Sequence, residues 1–303
     1  MGTRLVVGAF TPSVLLSVAR ATGRLDEWGL EVEEVAVASS PGQFRSLLDG
    51  DIDVAFTSPD NVLAYRFGPT NPLDALVDVS IVSTVDRGTG LALYGRPGLD
   101  GPDGLRGAVV GVDVPTSGFA LAMYSLGDSL GVGREEYDLV ALGSTPRRLE
   151  ALLAGDCDAT MLNAGNELLA EQAGAVLLAR AADVCAPYVG TVLCVHGDRR
   201  LEDARELAAA LHATAQDLWE RRVDDVAVGE AERRLGLPRE LAVRYVERLA
   251  SEDEGLIRAA EPDLTGLATI VGLRRRHQPV ADGSVDVLAA ALDPASGLLA
   301  PVR

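Results

Sequence analysis

Apolar runs and amphipathic segments alternate along the first sixty residues. RLVVGAF (4–10) is an apolar run rich in valine, and a Thr-Pro pair follows it and opens an amphipathic stretch. LEVEEVAV (30–37) alternates apolar and acidic residues, QFRSLLDG (43–50) is amphipathic and ends on glycine, and DIDVAFTS (51–58) is apolar again. These periodicities predict the order strand, helix, strand, helix, strand. That order is typical of a parallel sheet with crossover helices.

One stretch of the chain is nearly repeated further on. SSPGQFRSLLDGDIDVAFTS (39–58) aligns without a gap with STPRRLEALLAGDCDATMLN (144–163), and the two share Ser-x-Pro, Leu-Leu and Gly-Asp-x-Asp. A long repeat indicates a duplicated structural unit. GAVVGVDVPTS (107–117) in turn resembles the first strand and its turn. We therefore predict an α/β protein with two Rossmann-like lobes of related topology.

The two copies diverge after their third strand, where one reads FTSPDN (56–61) and the other MLNAGN (161–166). In open α/β sheets, ligands bind beyond the carboxyl ends of the strands. The conserved part of the repeat is therefore interpreted as scaffold. The diverged ends are predicted to face one ligand from opposite sides of a cleft between the lobes.

Two long extended stretches, 80–97 and 187–198, are interpreted as hinge strands that leave the first lobe and return to it. The first lobe is predicted to be discontinuous, with residues 1–86 plus 197–303. The second lobe is predicted to span residues 87–196, including the hinge strands. After the return, four amphipathic segments predict helices that pack on the first lobe, with the last one bracing the hinge.

Composition excludes several classes of partner. The formal net charge is −18, which argues against binding nucleic acid or anionic membrane surfaces, because both need an excess of Lys and Arg. A hydrophobic fraction of 48% is enough for a large core. No apolar stretch is as long as a transmembrane helix, so no transmembrane segment is predicted. A monomer is expected.

The three cysteines, Cys157, Cys185 and Cys194, do not form a disulfide framework or a zinc motif. Pairing of Cys185 with Cys194 across a hairpin is left open, and neither a metal nor a cofactor is predicted. The beginning MGTRLVVGAF lacks the pattern of a signal peptide. The protein is therefore expected in the cytoplasm if Met1 is the native start. If an export signal has been removed, it is expected in the periplasm or outside the cell on a lipoprotein anchor.

Three phrases resemble a known family. GLEVEEVAV (29–37), LLDGDIDVAFTSPDNVLA (47–64) and LRGAVVGV (105–112) are similar to phrases of the NMT1/THI5-like, or sulfonate/nitrate-type, solute-binding proteins of ABC importers. The resemblance covers about the first two hundred residues. It implies the type II periplasmic-binding fold, a small ligand clamped between lobes that close on a hinge, and an ABC permease as partner.

The resemblance and the predicted strand ends together give a set of candidate ligand-binding residues. Family contacts fall on the turns after the first and third strands, and on the helix start in the second lobe. Hydroxyl groups and free N–H groups there suit an anion or another polar ligand, although helix capping is the alternative role. The set is Thr11, Pro12, Ser13, Ser39, Thr57, Ser58, Asn61, Arg87, Asp113, Thr116, Ser117, Phe119, Asn163 and Tyr188.

Charged residues leave the sign of the ligand open. A cleft-facing Asp113 would repel an anion and favour an amine or a protonated heterocycle. Arg147 and Arg148, in the first turn of a predicted helix, could bind an anion there, but they are interpreted as solvated surface arginines.

Two classes of function fit these features. The first is a solute receptor of an ABC importer, which needs no catalytic group. The alternative is a cytosolic lyase, such as a decarboxylase or dehydratase acting on a small organic acid, with Asp113 as its general base. A cytosolic ligand sensor would keep the same clamp with a different partner.

Overall fold

The computed structural model of the protein describes residues 2–69, 71–279 and 286–300. Strands and helices alternate through the first two thirds of the chain, and helices dominate the rest. The strands are β1 (Thr3–Ala9), β2 (Leu30–Ala36), β3 (Val54–Thr57), β4 (Val79–Asp86), β5 (Ala92–Gly95), β6 (Val109–Val112), β7 (Asp138–Ala141), β8 (Ala159–Leu162), β9 (Val176–Arg180) and β10 (Thr191–His196). The helices are α1 (Val14–Ala21), α2 (Arg24–Glu27), α3 (Ser40–Asp49), α4 (Pro59–Phe67), α5 (Gly118–Ser129), α6 (Thr145–Ala154), α7 (Asn166–Gln172), α8 (Ala181–Val184), α9 (Leu201–Trp219), α10 (Asp224–Leu235), α11 (Arg239–Leu249) and α12 (Leu264–His277).

The strands form two five-stranded sheets with the same topology. The first sheet has the order β2-β1-β3-β10-β4, and the second has the order β7-β6-β8-β5-β9. In each sheet three strands are parallel, and the fourth strand in the order is antiparallel to the third. The repeated strands β3 and β8 therefore lie in different sheets, which confirms the predicted two-lobed α/β architecture.

The repeated Gly-Asp-x-Asp motif has the same structural role in both lobes. The carboxylate of Asp53 accepts a hydrogen bond from Val6 N at 2.9 Å, and that of Asp158 accepts one from Val109 N at 2.9 Å. Each aspartate thus ties the start of the third strand of its lobe to the first. The motif is repeated because it holds the sheet together, as expected of scaffold.

The helices after β10 pack on the first lobe, as the periodicity predicts. In α9 the apolar side chains of Leu201, Ala204, Leu207 and Leu211 recur at helical spacing and are buried. They share a core with α1, α10, α11 and strands of the first sheet. The last helix, α12, instead packs against α4 of the first lobe and α5 of the second. It therefore spans the two lobes, in agreement with its predicted bracing role.

The two lobes are joined by chain crossings packed tightly at glycines. A Cβ atom on Gly190 would lie 2.4 Å from the Cα atom of Gly88, so no side chain fits between the crossing segments. The returning strand Thr191–His196 belongs to the first sheet, where it pairs with β3 and β4. The sequence-based division placed this strand in the second lobe, because an extended segment carries no mark of the sheet that receives it. The other lobe boundaries stay a prediction, and within them positions 1, 70, 280–285 and 301–303 lie outside the described residues.

All three cysteines are free and buried, so Cys185 and Cys194 do not pair. Burial raises the pKa of the thiols of Cys157 and Cys185 to about 11, and that of Cys194 still further. Within the described ranges, no helix is long and apolar enough to cross a membrane. The same ranges contain no group of three or more His, Cys, Asp or Glu side chains placed to hold a metal.

Candidate ligand-binding cleft

A cleft between the lobes encloses about 1050 Å³ of empty space, including its mouth. It lies at the carboxyl ends of the strands, where the diverged ends of the repeat were predicted to meet. Ten of the predicted residues line it: Thr11, Pro12, Ser13, Thr57, Ser58, Asn61, Asp113, Ser117, Phe119 and Asn163. Their direct contact with a ligand remains a prediction.

Four predicted residues lie outside the cleft lining. Ser39 caps α3, where its Oγ accepts a hydrogen bond from Gly42 N. Arg87 forms an ion pair with Asp263 at 2.8 Å. The Thr116 side chain is exposed, while its backbone carbonyl accepts a hydrogen bond from Arg274. Tyr188 is 1% exposed and belongs to the hydrophobic core.

Three serines of the lining also cap helices. Ser13 Oγ accepts from Leu16 N, Ser58 Oγ from Asp60 N and Ser117 Oγ from Ala120 N, at 3.2, 3.3 and 3.3 Å. Capping and cleft lining are therefore not alternatives at these positions. At the start of α6, by contrast, Ser144 lines the cleft and makes no side-chain capping bond.

Arg148 is a cleft-lining residue that sequence analysis interpreted as a surface group, yet it is only 2% exposed. Its guanidinium donates to the carbonyl oxygen of Met161 from Nε and Nη2, to that of Gly143 from Nη1, and to Thr145 Oγ1 from Nη2. Burial lowers the pKa of Arg148 to about 10, against the opposing charge of Asp113. Its neighbour Arg147 is exposed.

The alignment of the repeat contained the signal for this residue. Arg148 occupies the position that Gln43 occupies in the first lobe. Gln43 is completely buried and donates from Nε2 to the carbonyl oxygens of Gly8 and Phe56, the latter being the counterpart of Met161. In both lobes this side chain fastens a helix to the end of the third strand.

Two carboxyl groups line the cleft. Asp86 accepts a hydrogen bond from Gly88 N at 2.7 Å and is 9% exposed. Asp113, on the turn after β6, is half-buried. Burial raises the pKa of both groups. Arg148 partly opposes the shift at Asp113, whereas hydrogen bonds from Thr191 and Gly88 do so at Asp86.

An apolar wall completes the cleft on the side of the first lobe. Phe10 and Phe56 come from the ends of strands, whereas Tyr245, Leu249 and Leu256 come from α11 and the segment that follows it. Sequence analysis did not assign C-terminal residues to the site, because only the tertiary packing of α11 brings them there. The cleft is thus polar on its turns and apolar on this wall.

Two arginines join the lobes, Arg274 by a hydrogen bond and Arg248 by an ion pair. Arg274 of α12 binds both carboxylate oxygens of the buried Asp60 at 2.6 Å, and donates to the carbonyl oxygen of Thr116 in the second lobe at 3.0 Å. Arg248 of α11 pairs with the fully buried Glu167 of α7. These contacts join the lobes in the arrangement seen here.

No protein-family model and no curated protein match the sequence. Several solved structures match in fold. The periplasmic nitrate-binding protein NrtA from Synechocystis PCC 6803 has a TM-score of 0.74 at 12% identity, over 95% of this chain and 84% of that chain. A Candida albicans gene product described as having the generic periplasmic binding protein fold has a TM-score of 0.72 at 16% identity, over 97% and 95%.

The alkanesulfonate-binding protein SsuA from Xanthomonas axonopodis pv. citri, bound to MOPS, has a TM-score of 0.69 at 16% identity, over 100% of this chain and 96% of that chain. Likeness at such low identity establishes architecture and leaves the ligand open. For the fold, it confirms the resemblance to ABC-importer solute-binding proteins that the sequence suggests. The chain has the two-lobed α/β fold of the periplasmic binding proteins.

Proposed function

We propose that this protein is a small-molecule receptor that closes its two lobes on a ligand and passes that ligand to an ABC permease. The observation that carries the proposal is the cleft itself. Two sheets of identical strand order present their carboxyl ends to one cavity beside a glycine-packed hinge. Binding between lobes that pivot on a hinge is how this fold takes small ligands. The nitrate and alkanesulfonate binding named for two of its structural neighbours supports the same role.

The cleft gives less support to the lyase alternative. General acid–base chemistry needs a titratable group held within reach of the substrate proton that it transfers. Among the described cleft residues, Asp113 accepts no hydrogen bond that would orient it, whereas Asp86 is oriented by Gly88 N but is only 9% exposed. His196 lies at the opposite end of β10 from the cleft-lining Thr191. Binding without turnover therefore fits the cleft better.

The proposal is tested by screening the full chain against a library of small sulfonates, carboxylates, amines and heterocycles in a thermal-shift assay. A ligand at a hundredfold excess over its Kd should stabilise the folded protein by roughly 2.7 kcal/mol. Small-angle scattering with the best ligand should then give a smaller radius of gyration.

The matched variants are Ser58→Trp and Ser117→Trp, which fill the cleft from each lobe and should abolish both responses. The library should also be recovered unchanged, as checked by mass spectrometry. Consumption of a compound would indicate that the protein is an enzyme. A screen in which no compound stabilises the protein would contradict the proposed receptor function.

A further inference from the structure

The charged side chains of the cleft differ in how far a ligand can reach them. Among the lining residues that the structure describes, three carry a charge: Asp86, Asp113 and Arg148. Arg148 is 2% exposed and Asp86 is 9% exposed, whereas Asp113 is half-buried and open to the cleft. The charge that a ligand meets first is therefore a carboxylate.

The guanidinium of Arg148 is committed to the protein. Its donors bind the carbonyl oxygens of Met161 and Gly143 and the hydroxyl of Thr145. Turning it towards a ligand anion would leave these buried acceptors without a partner, which is costly. Burial raises the pKa of Asp113, and the charge of Arg148 acts against that shift, in favour of the ionised carboxylate.

One donor that an anion would use in the first lobe is already engaged, because Ser13 N donates to the carboxylate of Glu34 at 2.7 Å. Ser58 in the first lobe and Ser117 in the second accept the N–H groups of their own helices and can still donate their O–H groups to a ligand. An anion bound beside Ser13 would compete with Glu34, and it would also face the carboxylate of Asp113.

The Asp113 carboxylate itself is without a hydrogen-bond partner among the described residues. A partly desolvated charge without a partner is unfavourable, so a ligand that donates hydrogen bonds to it gains affinity. The net charge of −18 acts in the same direction, since it attracts cations and repels anions at long range. The apolar wall at Phe10 and Leu249 offers room for a hydrocarbon body.

We propose that the ligand is an organic cation, an ammonium or amidinium group on an apolar body, whose N–H groups bind Asp113. This assignment rests on the proposed receptor function of the cleft. It separates this protein from the nitrate- and alkanesulfonate-binding proteins that share its fold.

The test is isothermal titration calorimetry of the full chain with probes that share a body and differ in charge. Hexylammonium is compared with hexanesulfonate, benzylammonium with benzenesulfonate, and benzamidinium with benzoate. At least one cation should bind, at least tenfold more tightly than its matched anion.

Variants connect the binding to the carboxylate. Asp113→Asn should weaken binding of the cation tenfold or more, because it removes the charge and keeps the shape. Asp113→Glu should retain most of the affinity, and the exposed Asp49→Asn should not change it. Circular dichroism of each variant checks that it is folded.

Three outcomes would overturn the assignment: none of the cations binds, the matched anions bind more tightly, or Asp113→Asn leaves the affinity unchanged. Tight binding of an anion with closure of the lobes would overturn the assignment of a cationic ligand and would still support the proposed receptor function. If neither the probes nor the screening library contains a ligand, both proposals fail.

Discussion

Equivalent positions in the two lobes carry different side chains for the same task. Gln43 and Arg148 both reach from a helix to the carbonyl at the end of the third strand. The arginine adds a buried charge that the glutamine lacks, and burial lowers its pKa against the opposing effect of the Asp113 charge. A buried charge is tolerated only when its donors are satisfied, and here they are. The two lobes thus differ by one buried charge at an equivalent position.

Replacing Arg148 tests this account. Arg148→Ala should lower the free energy of unfolding by about 3 kcal/mol, because it leaves buried carbonyl oxygens without donors and creates a void. Arg148→Gln, which copies the first lobe, should retain most of that stability. Urea denaturation gives both values, with the exposed Arg147→Ala as the control, expected within about 0.5 kcal/mol of wild type. Equal losses for Ala at positions 147 and 148 would contradict the buried role.

Sequence patterns predicted the strands and helices, but they did not predict the sheet to which β10 belongs or the C-terminal part of the cleft. Hydrophobic periodicity reports the local environment of a segment, so the parallel strands and the four C-terminal helices were predictable. The sheet that receives β10 was not, because antiparallel insertion depends on tertiary packing alone. In the cleft, turn residues such as Ser58 followed from strand ends, whereas Tyr245 and Leu249 are brought there by the docking of α11. The burial of Arg148 was visible only through its alignment with Gln43.

Helix α12 is held to α4 of the first lobe by a buried ion pair, and the same arginine donates to the carbonyl oxygen of Thr116 in the second lobe. Arg274→Ala would leave the carboxylate of Asp60, which is 1% exposed, buried and without its partner. Breaking a buried pair in this way costs about 3 to 5 kcal/mol. The neighbouring Arg275→Ala, which breaks a more exposed pair with Asp286, should cost less than about 1 kcal/mol. Chemical denaturation of the two variants measures the difference in free energy of unfolding. Similar losses for both would contradict a stabilising role for the Arg274–Asp60 pair.

The contact between α7 and α11 makes stability depend on pH. Burial raises the pKa of Glu167 from 4.5 to about 7, although the charge of Arg248 opposes the shift. The folded protein therefore holds a proton that the unfolded chain releases between these values. The raised pKa of Glu167 therefore contributes roughly 3 kcal/mol to the free energy of unfolding at low pH. This contribution is lost as the pH rises through 7.

Glu167→Gln removes the titration and keeps a hydrogen-bonding oxygen for Arg248. Relative to wild type, this variant should become more stable by up to roughly 3 kcal/mol as the pH rises from 5 to 8. Urea unfolding of both proteins across that pH range measures the difference. A difference that does not change with pH would show that Glu167 is already ionised throughout.

The closure that we propose would pivot on the crossing at the hinge. Two glycines face each other there so closely that a Cβ atom on Gly190 would lie 2.4 Å from the backbone of Gly88. We infer that the lobes pivot on this contact when they close. The hinge therefore links a local steric requirement to the movement of entire lobes.

Gly190→Ala should consequently push the hinge segments apart and open the cleft. We expect weaker ligand binding and a larger radius of gyration by small-angle scattering. Gly229 is an exposed position in helix α10, and an added Cβ atom there would have nothing within 4 Å. Gly229→Ala should instead stabilise the protein by about 1 kcal/mol. If the Gly190 variant scatters like wild type, the crossing is not what limits closure.

The burial of all three native thiols has a practical consequence. Maleimide dyes react with thiolates at accessible sites, and Cys157, Cys185 and Cys194 offer neither exposure nor a low pKa. Asp49 and Ala154 are exposed positions at the ends of equivalent helices. Cysteines introduced there would accept a donor and an acceptor fluorophore, and the three native cysteines could stay in place. Energy transfer between single pairs of dyes would then follow the gap between the halves of one molecule as it shuts and reopens.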